Sequence, residues 1–329
     1  MKVAIIGAGV AGLTAARELA ERGAQVQVFE KSRGVGGRLA NKRLDWGNMD
    51  IGAQYFTARD SRFKNQVERW QNDGFVDRWQ LKPHSVSSSG LTTRPDPTVR
   101  YVGVPTMTTI THVLAKGIDI TFNTRIDEIE CQNHVWTLKT AEGLCLKERY
   151  DWVVLSVPLE QSKALLRGTA IEDKLPELTH EPCWALGLAT IGDVAAEVQG
   201  IFGDETVSWV SRLSSRPQRV TSKNHDDLWM LHFSSEWSLK HSKDTHIDIA
   251  QVGVEWLSQT LEDHISTPLQ AAQSYHHFWR YARVKSFETT PGIIADHPTG
   301  IATIGAWTSG GRVEGAYLSA LEFIDEYFS

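Results

Sequence analysis

Three glycines near the start of the chain stand in an order that can cradle a phosphate. Gly7, Gly9 and Gly12 follow a short apolar run and open a segment with helical periodicity. The first glycine permits a tight turn, the second lets the backbone approach a pyrophosphate, and the third lets helix and strand pack closely. The amino terminus of a helix adds free N–H donors and a partial positive charge. This spacing predicts a dinucleotide-binding turn.

An acidic residue stands where such a turn needs one. Glu30 lies eighteen residues after Gly12, at the end of a second alternating apolar run over residues 25–30. A carboxylate at that point can bind a pair of ribose hydroxyls. Strand, glycine turn, helix and strand within thirty residues predict the start of a parallel sheet with helical crossovers. The motif alone does not separate NAD from FAD.

The remaining chain alternates between strand and helix patterns. Apolar spacing predicts helices over residues 61–72, 159–166, 247–261 and 313–328, and strands over 118–129, 135–138, 144–148, 152–157 and 300–305. Residues 85–97 have the composition of a surface loop or hairpin tip. The return to strands after residue 118 indicates that the chain leaves the first sheet and comes back to it.

Composition excludes several other classes of protein. The 329 residues carry a net charge of -6 with scattered basic residues, so we expect no nucleic-acid partner. Three cysteines without paired spacing predict neither a disulfide framework nor a zinc site and favour a reducing cytoplasm. The apolar start could be mistaken for a signal peptide, but charges at helical spacing interrupt it. No later run is long enough to span a bilayer, so we expect no membrane association.

No pattern in the sequence indicates a side chain that makes or breaks bonds in a reaction. The twelve histidines include no HExxH pattern, and the chain has no GxSxG sequence and no recognisable cysteine–histidine pattern. We therefore expect no metal site and no covalent hydrolysis, and we assign no catalytic side chain. A bound redox cofactor would carry the chemistry.

Several blocks resemble a known family of flavoproteins. Residues 30–38, EKSRGVGGR, resemble the second fingerprint of FAD enzymes of the amine-oxidase type. Residues 50–59, DIGAQYFTAR, and residues 311–319, GRVEGAYLS, resemble blocks of the renalases, especially those of bacteria. Shorter matches lie at residues 99–103, 184–185 and 279–283, so the resemblance covers the whole chain.

The resemblance implies an α/β fold with two interleaved domains. A discontinuous, doubly wound, Rossmann-like FAD-binding domain would comprise residues 1–60, 116–158 and 290–329. A mixed sheet-and-helix substrate domain would comprise residues 61–115 and 159–289. FAD is the cofactor that this arrangement implies.

The resemblance also assigns residues to the site. The main chain of Ile126 would help to hold the ADP half, and Gln54 and Tyr55 would lie beside the flavin. Val313, at the start of the last helix, would direct backbone dipoles toward the pyrimidine end of the isoalloxazine. The full cofactor set is Gly7, Gly9, Val10, Ala11, Gly12, Glu30, Lys31, Gly37, Arg38, Gln54, Tyr55, Ile126, Gly305, Ala306, Arg312 and Val313. The substrate candidates, which could equally be core aromatics and their neighbours, are Tyr55, Phe56, Thr57, Arg59, Tyr101, Trp184 and Trp279.

The implied reaction is oxidation of misreduced nicotinamide dinucleotides. Isomers of dihydro-NAD(P) carrying hydride at the 2 or 6 position would be returned to NAD(P)+, with molecular oxygen reduced to hydrogen peroxide. One alternative is an amine oxidase with an aromatic cage built from Tyr281 and Trp307. A desaturase is a further alternative, although the chain lacks an evident amphipathic membrane patch.

One position departs from the family pattern. Where relatives read Gly-Asp-Trp before the last helix, this chain reads Gly305-Ala306-Trp307. The resemblance implies that the carboxylate of the family's aspartate accepts a hydrogen bond from the ribityl or phosphate region of FAD. Because alanine has no such acceptor, we expect weakened FAD binding. The same departure is the support for another alternative, a binding or sensor protein that no longer turns over substrate.

Overall fold

A computed structural model describes residues 1–93, 95–220, 224–244, 246–285 and 290–328. Seven α-helices occur within these residues: α1 (Val10–Glu21), α2 (Ser61–Asn72), α3 (Thr109–Leu114), α4 (Leu159–Leu165), α5 (Ser235–Lys240), α6 (Ile249–Thr260) and α7 (Val313–Tyr327). The strands of the first half are β1 (Lys2–Ile6), β2 (Gln25–Phe29), β3 (Asn41–Leu44), β4 (Gly47–Asp50), β5 (Val76–Trp79), β6 (His84–Ser87), β7 (Gly90–Thr93), β8 (Arg100–Gly103), β9 (Asp119–Thr121), β10 (Ile126–Gln132), β11 (Val135–Thr140) and β12 (Trp152–Leu155). Those of the second half are β13 (His180–Ile191), β14 (Gly200–Phe202), β15 (Val207–Arg212), β16 (Asp227–Phe233), β17 (Gln270–Val284), β18 (Ile294–Asp296) and β19 (Ile301–Thr303).

A six-stranded sheet carries the predicted nucleotide-binding turn. Its strand order is β18-β19-β12-β1-β2-β9, and all neighbours run parallel except β18 and β19. The two central strands, β1 and β12, are almost entirely apolar because both of their faces are covered. The carboxyl ends of β1, β2 and β12 therefore meet at one edge, where ligands of such sheets bind.

The two faces of this sheet are covered differently. One face packs against α1, α3 and α7 in a core that includes Leu13, Leu19 and Phe323. The other face is covered by the β10–β11 hairpin and α4, with Trp136 and Leu159 in its core. The predicted α/β class is confirmed, although a hairpin rather than a second full layer of helices covers this face.

A seven-stranded mixed sheet forms the second layer of structure. Its order is β17-β13-β16-β15-β14-β6-β7, so a hairpin from the first third of the chain completes a sheet built from the last half. Helix α6 packs on one face, over a core that includes Leu186 and Trp229. The opposite face packs on β3 and β4 through Met49, Met230 and their neighbours.

Some predicted elements differ from the structure. Residues 118–129 form two strands, β9 and β10, because the chain turns at Asn123, which adopts a positive φ of 52°. Residues 144–148 form only an isolated bridge from Cys145 to Lys139. Leu146 alone of these five residues is half-buried, while the others are exposed, so the segment has no continuous buried face to hold a strand.

Packing bears on the proposed domain boundaries. Phe63 and Trp70 of α2 contact Tyr317 of α7, and β5, β8 and α3 contribute to the same core as the six-stranded sheet. Within residues 61–115, β6 and β7 are the strands that join the second sheet. The two-domain division remains a proposal, and this packing favours placing most of residues 61–115 with the first unit. The boundary at residue 289 lies outside the described residues.

Candidate cofactor and substrate site

The glycine turn has the shape that a pyrophosphate requires. Gly7 adopts a φ of +108°, and a Cβ on Gly12 would lie 2.1 Å from the carbonyl oxygen of Gly7. A Cβ on Gly9 would meet no protein atom within 4 Å. Gly7 and Gly12 are thus required by the fold itself, whereas Gly9 faces open space. Val10 and Ala11 begin α1, whose first N–H groups lack intrahelical acceptors.

Glu30 lies beside this turn, directly after the end of β2. Its carboxylate accepts hydrogen bonds from the main-chain N–H groups of Ala8 at 2.9 Å and Ser32 at 2.8 Å. Thr124 N donates to the carbonyl of Glu30, which brings the start of β10 and the main chain of Ile126 to the same edge. The structure therefore places these predicted residues together, while Lys31 beside them is exposed.

The second glycine-rich segment packs directly on the first. Gly37 has a φ of +52°, and a Cβ there would lie 3.3 Å from the Cα of Gly9. The N–H of Gly36 also donates to the carbonyl of Ala8. These contacts hold the following residue, Arg38, against the phosphate-binding turn.

The third block packs on the second in the same manner. A Cβ on Gly52 would lie 2.0 Å from the carbonyl oxygen of Arg38, which also accepts a hydrogen bond from Ala53 N at 2.8 Å. Gln54, next along the chain, is 4% exposed. Its amide donates to the carbonyls of Asp50 and Gly52, and its Oε1 accepts from an arginine. Gln54 thus lies beside the site, and both its amide nitrogen and its amide oxygen are hydrogen-bonded within the protein.

Arg38 belongs to a polar group at the carboxyl end of the central strands. Its Nη1 donates to the carbonyl of Ala282 at 3.2 Å. Nearby, His180 Nδ1 and Glu160 Oε2 are 2.8 Å apart. Burial lowers the pKa of His180, and the Arg38 charge lowers it further, whereas Glu160 raises it. Burial likewise lowers the pKa of Arg38, opposed by Glu160. Among the described residues no carboxylate forms an ion pair with Arg38, so its charge is available for a pyrophosphate.

The carboxyl-terminal motif folds back onto the helix that follows it. Gly305 has a φ of +148°, and its N–H donates to Ser319 Oγ of α7. Ala306, 5% exposed, opens a short 3-10 turn, and its carbonyl accepts from Gly311 N. Arg312 caps α7 without a side-chain bond and is exposed. In the part of the chain that the structure describes, no side chain of the cap residue satisfies the first N–H groups of α7 at Val313, the kind of helix end at which anions bind.

Helix α7 also fixes the segment that carries substrate candidates. Glu314 Oε1 accepts from the main-chain N–H groups of Arg59 and Asp60. Phe56 pairs with Tyr101 through two backbone hydrogen bonds of 2.9 Å, and their rings stack at 5.6 Å. The ring of Tyr55 packs on that of Trp209 in the second sheet, with the ring centres 5.5 Å apart. Thr57 is half-buried and the Arg59 side chain is exposed.

The two predicted tryptophans lie on opposite faces of the second sheet. Trp279 pairs with Cys183 and donates from Nε1 to the carbonyl of Ile51, so it faces the motif block. Trp184 packs on Phe278, and its Nε1 donates to a carbonyl beyond α5. The structure therefore does not bring Trp184 together with the other substrate candidates, because successive strand residues alternate between faces.

Two buried arginines beside this site were not predicted. Arg216 and Arg219 both donate to Asp50 Oδ2, and Arg216 also donates to Gln54 Oε1 at 2.6 Å. They follow a short 3-10 turn after β15, more than 160 residues from their partner. Their sequence offered no spacing signal, since residues 211–219 read as a polar loop.

Comparison with known proteins agrees with this architecture. Residues 5–70 match the model of an NAD(P)-binding Rossmann-like domain. A 4,4'-diapophytoene desaturase of Staphylococcus aureus is 48% identical over 78 residues, which cover 21% of this chain and 16% of the desaturase. The match therefore spans about a sixth of that relative's length.

Solved structures match over almost the whole chain. One from Exiguobacterium sp. 255-15, with the provisional name protoporphyrinogen oxidase, has a TM-score of 0.75 at 13% identity and covers 99% of this chain and 98% of its own. A putrescine oxidase variant redesigned in cofactor binding has a TM-score of 0.72 at 12% identity, with coverages of 99% and 98%. At such identities the similarity establishes the fold, a mixed α/β structure with a Rossmann-like dinucleotide-binding domain. None of the described helices is both long and apolar enough to cross a membrane.

Proposed function

We propose that this chain is an FAD-dependent oxidoreductase and that it oxidises 2- or 6-dihydro isomers of NAD(P) to NAD(P)+. The observation that carries the proposal is the contiguity of three motif blocks. Gly9 lies against Gly37, and Arg38 lies against Gly52, each at a distance that only glycine permits or favours. Together they form one continuous backbone path from the phosphate-binding turn to Tyr55. An extended dinucleotide with a ring at its far end fits such a path better than a mononucleotide does.

The chain's own residues would bind and orient this cofactor. Glu30 has acceptor capacity for ribose hydroxyls beyond its two N–H partners, and the start of α1 offers N–H donors to the phosphates. Arg38 would add a positive charge at the same edge, and α7 would direct its amino terminus toward the cofactor at Val313. FAD, when bound, supplies a two-electron acceptor that oxygen can reoxidise with release of hydrogen peroxide.

The proposed reaction needs positioning more than proton transfer. A hydride, with two electrons, leaves the dihydropyridine ring and yields the aromatic NAD(P)+, while oxygen with two electrons and two protons becomes hydrogen peroxide. The rings of Tyr55, Tyr101 and Trp279 would line the substrate side of the site, a placement supported by the contact of Tyr55 with Trp209 of the second sheet and by the bond from Trp279 to the carbonyl of Ile51. They can hold a planar substrate by stacking and keep water away. This chemistry requires no general base from the protein.

Side-chain placement disfavours the amine-oxidase alternative. Trp307 is fully buried and donates to the carbonyl of Val157, whereas Tyr281 packs on His180. A ring of an aromatic cage needs a face open to the substrate, and Trp307, at 0% exposure, has none. An amine substrate would need another pair of rings.

The deciding experiment is an absorption spectrum of the purified protein during anaerobic addition of each donor. The 2- and 6-dihydro isomers should bleach the flavin band much faster than NADH or a monoamine, and air should then restore it with one hydrogen peroxide per turnover. Gly9→Val should lack the flavin band from the outset, because the added side chain blocks the backbone approach. If a monoamine bleached the flavin rapidly while both isomers left it yellow, the amine-oxidase alternative would replace this proposal.

A further inference from the structure

A surface cavity lies against the second glycine-rich segment, on the helix side of the six-stranded sheet. Its volume is about 430 Å³, and small-molecule sites commonly have volumes of about 300 to 1,000 Å³. Residues 33–35 form one wall, α3 with the residue that follows it forms the second, and β9 with its two flanking residues forms the third. We call this space the α3 cavity.

The second glycine-rich segment separates the α3 cavity from the predicted cofactor path. Gly36 donates its N–H to the carbonyl of Ala8 in the phosphate-binding turn, whereas a Cβ on Gly36 would lie 3.2 Å from Thr108, the residue before α3. Ile120, which lines the cavity, packs against the core on the helix side of the sheet. Ile126, predicted to hold the ADP half of FAD, belongs to the core on the other side. The cavity is therefore additional to the predicted cofactor site.

The floor of the α3 cavity is apolar. Ile118, Ile120 and Phe122 alternate along β9 and its flanks, so their side chains face the same side and line the cavity together. Phe122 is 38% exposed, so part of its ring is open to a ligand. The wall opposite is fixed to the end of this strand, because Asn123 N donates to the carbonyl of Ser32 at 3.0 Å. A flat ring can lie against this floor and bury apolar surface.

The rim of the α3 cavity is suited to an anion. Arg33 and His112 both line it and both are exposed. No acceptor among the described residues pairs with the Arg33 guanidinium, so its N–H donors are available to a ligand. The wall segments, residues 31–38 and 109–118, contain no aspartate or glutamate. Asp119 alternates to the opposite face of β9 from the isoleucines. A negative group at this rim would therefore meet a guanidinium without a competing carboxylate.

We propose that the α3 cavity binds a nucleoside monophosphate, with the phosphate at Arg33 and His112 and the base against Phe122 and the isoleucines. Phosphate oxygens match the planar fork of a guanidinium, which binds them in pairs. The planar base supplies the apolar surface that the floor can bury. This site does not depend on the reaction proposed above, because none of its contacts involves the flavin or its substrate.

Calorimetric titration of the FAD-saturated protein tests the site with three probes. AMP carries both the ring and the phosphate, whereas adenosine and inorganic phosphate each carry one half. AMP should bind about tenfold or more tightly than either half. Ultrafiltration of the same samples shows whether FAD stays on the protein, as binding in the α3 cavity requires. If AMP binds no better than adenosine or phosphate, or if it displaces FAD and so occupies the cofactor site, the proposal is overturned.

Two substitutions at exposed positions separate the phosphate end from the ring end. Arg33→Met should weaken AMP binding about tenfold or more and leave adenosine binding unchanged. Phe122→Ala should weaken the binding of both. Arg43→Met, at an exposed position on β3, also removes one positive charge and is the matched control that should have no effect. Circular dichroism verifies that each variant is folded. Unchanged AMP affinity in either cavity variant, or an equal loss in Arg43→Met, would contradict the assignment.

Discussion

Two glycines of the phosphate-binding turn should respond in opposite ways to the same substitution. A Cβ on Gly12 would lie 2.1 Å from the carbonyl oxygen of Gly7, so Gly12→Ala forces strand and helix apart. Overpacking of this kind destabilises a protein by about 1 to 3 kcal/mol. A Cβ on Gly9 meets no protein atom within 4 Å, and the backbone there, at φ -88° and ψ -174°, suits alanine. Gly9→Ala should change the free energy of unfolding by less than about 0.5 kcal/mol.

The effect on cofactor binding should follow the reverse order. The Cβ of Gly9→Ala would occupy the space through which the pyrophosphate approaches the main chain. Hydrogen bonds to a charged group contribute about 1.5 to 3 kcal/mol each, so losing one would weaken FAD binding roughly 10- to 150-fold. A Gly12→Ala protein that folds should lose less affinity, because its added carbon points into the protein.

Two measurements on the same pair of variants decide the matter. Urea unfolding of the cofactor-free proteins gives the stability difference, and fluorescence titration with FAD gives the dissociation constants. The reasoning is refuted if Gly9→Ala binds FAD as tightly as the wild type, or if it unfolds as readily as Gly12→Ala. Either result would mean that the open space at Gly9 is not where the phosphates lie.

Three further predictions concern residues around the site. Ala306→Asp should tighten FAD binding by up to about tenfold, near the lower end of what one charged acceptor contributes, and fluorescence titration should detect it. Burial lowers the pKa of His232 to about 4. The unfolded chain takes up that proton near pH 6.5, so stability should fall by up to about 3 kcal/mol as the pH drops from 6.5 to 4, and His232→Gln should lose less in urea unfolding across this range. Burial raises the pKa of the Cys183 thiol to about 12, so iodoacetamide at pH 8 should label exposed Cys145 and spare Cys183 in a peptide mass map.

The nucleotide-binding half of the fold could be predicted because its signals are local. Gly7, Gly9, Gly12 and Glu30 lie within one strand–helix–strand unit, and each has a separate geometric reason for its residue type. The last helix was likewise predicted almost to the residue, since its apolar stripe is long and regular. In such segments, neighbouring residues alone determine the pattern.

The substrate side could not be predicted to the same degree because its contacts are distant in sequence. Arg216 meets Asp50 across 166 positions, and no periodicity in either segment indicates that they pair. Trp184 illustrates a different difficulty. Strand alternation shows that Trp184 and Cys183 point in opposite directions, but it does not say which of the two faces the other sheet.

The strand order of the six-stranded sheet has a consequence for how the protein is made. Strand β12 ends at Leu155, and its outer neighbour β19 begins at Ile301, so 146 positions separate the two residues. At a synthesis rate of about 5 to 20 residues per second, β19 is synthesised roughly 7 to 30 s after β12, and until then this edge of β12 is unpaired. During that interval the nucleotide-binding turn is already synthesised, while a buried-type strand presents an unpaired edge to the cell. A nascent chain at this stage is a natural client for a chaperone.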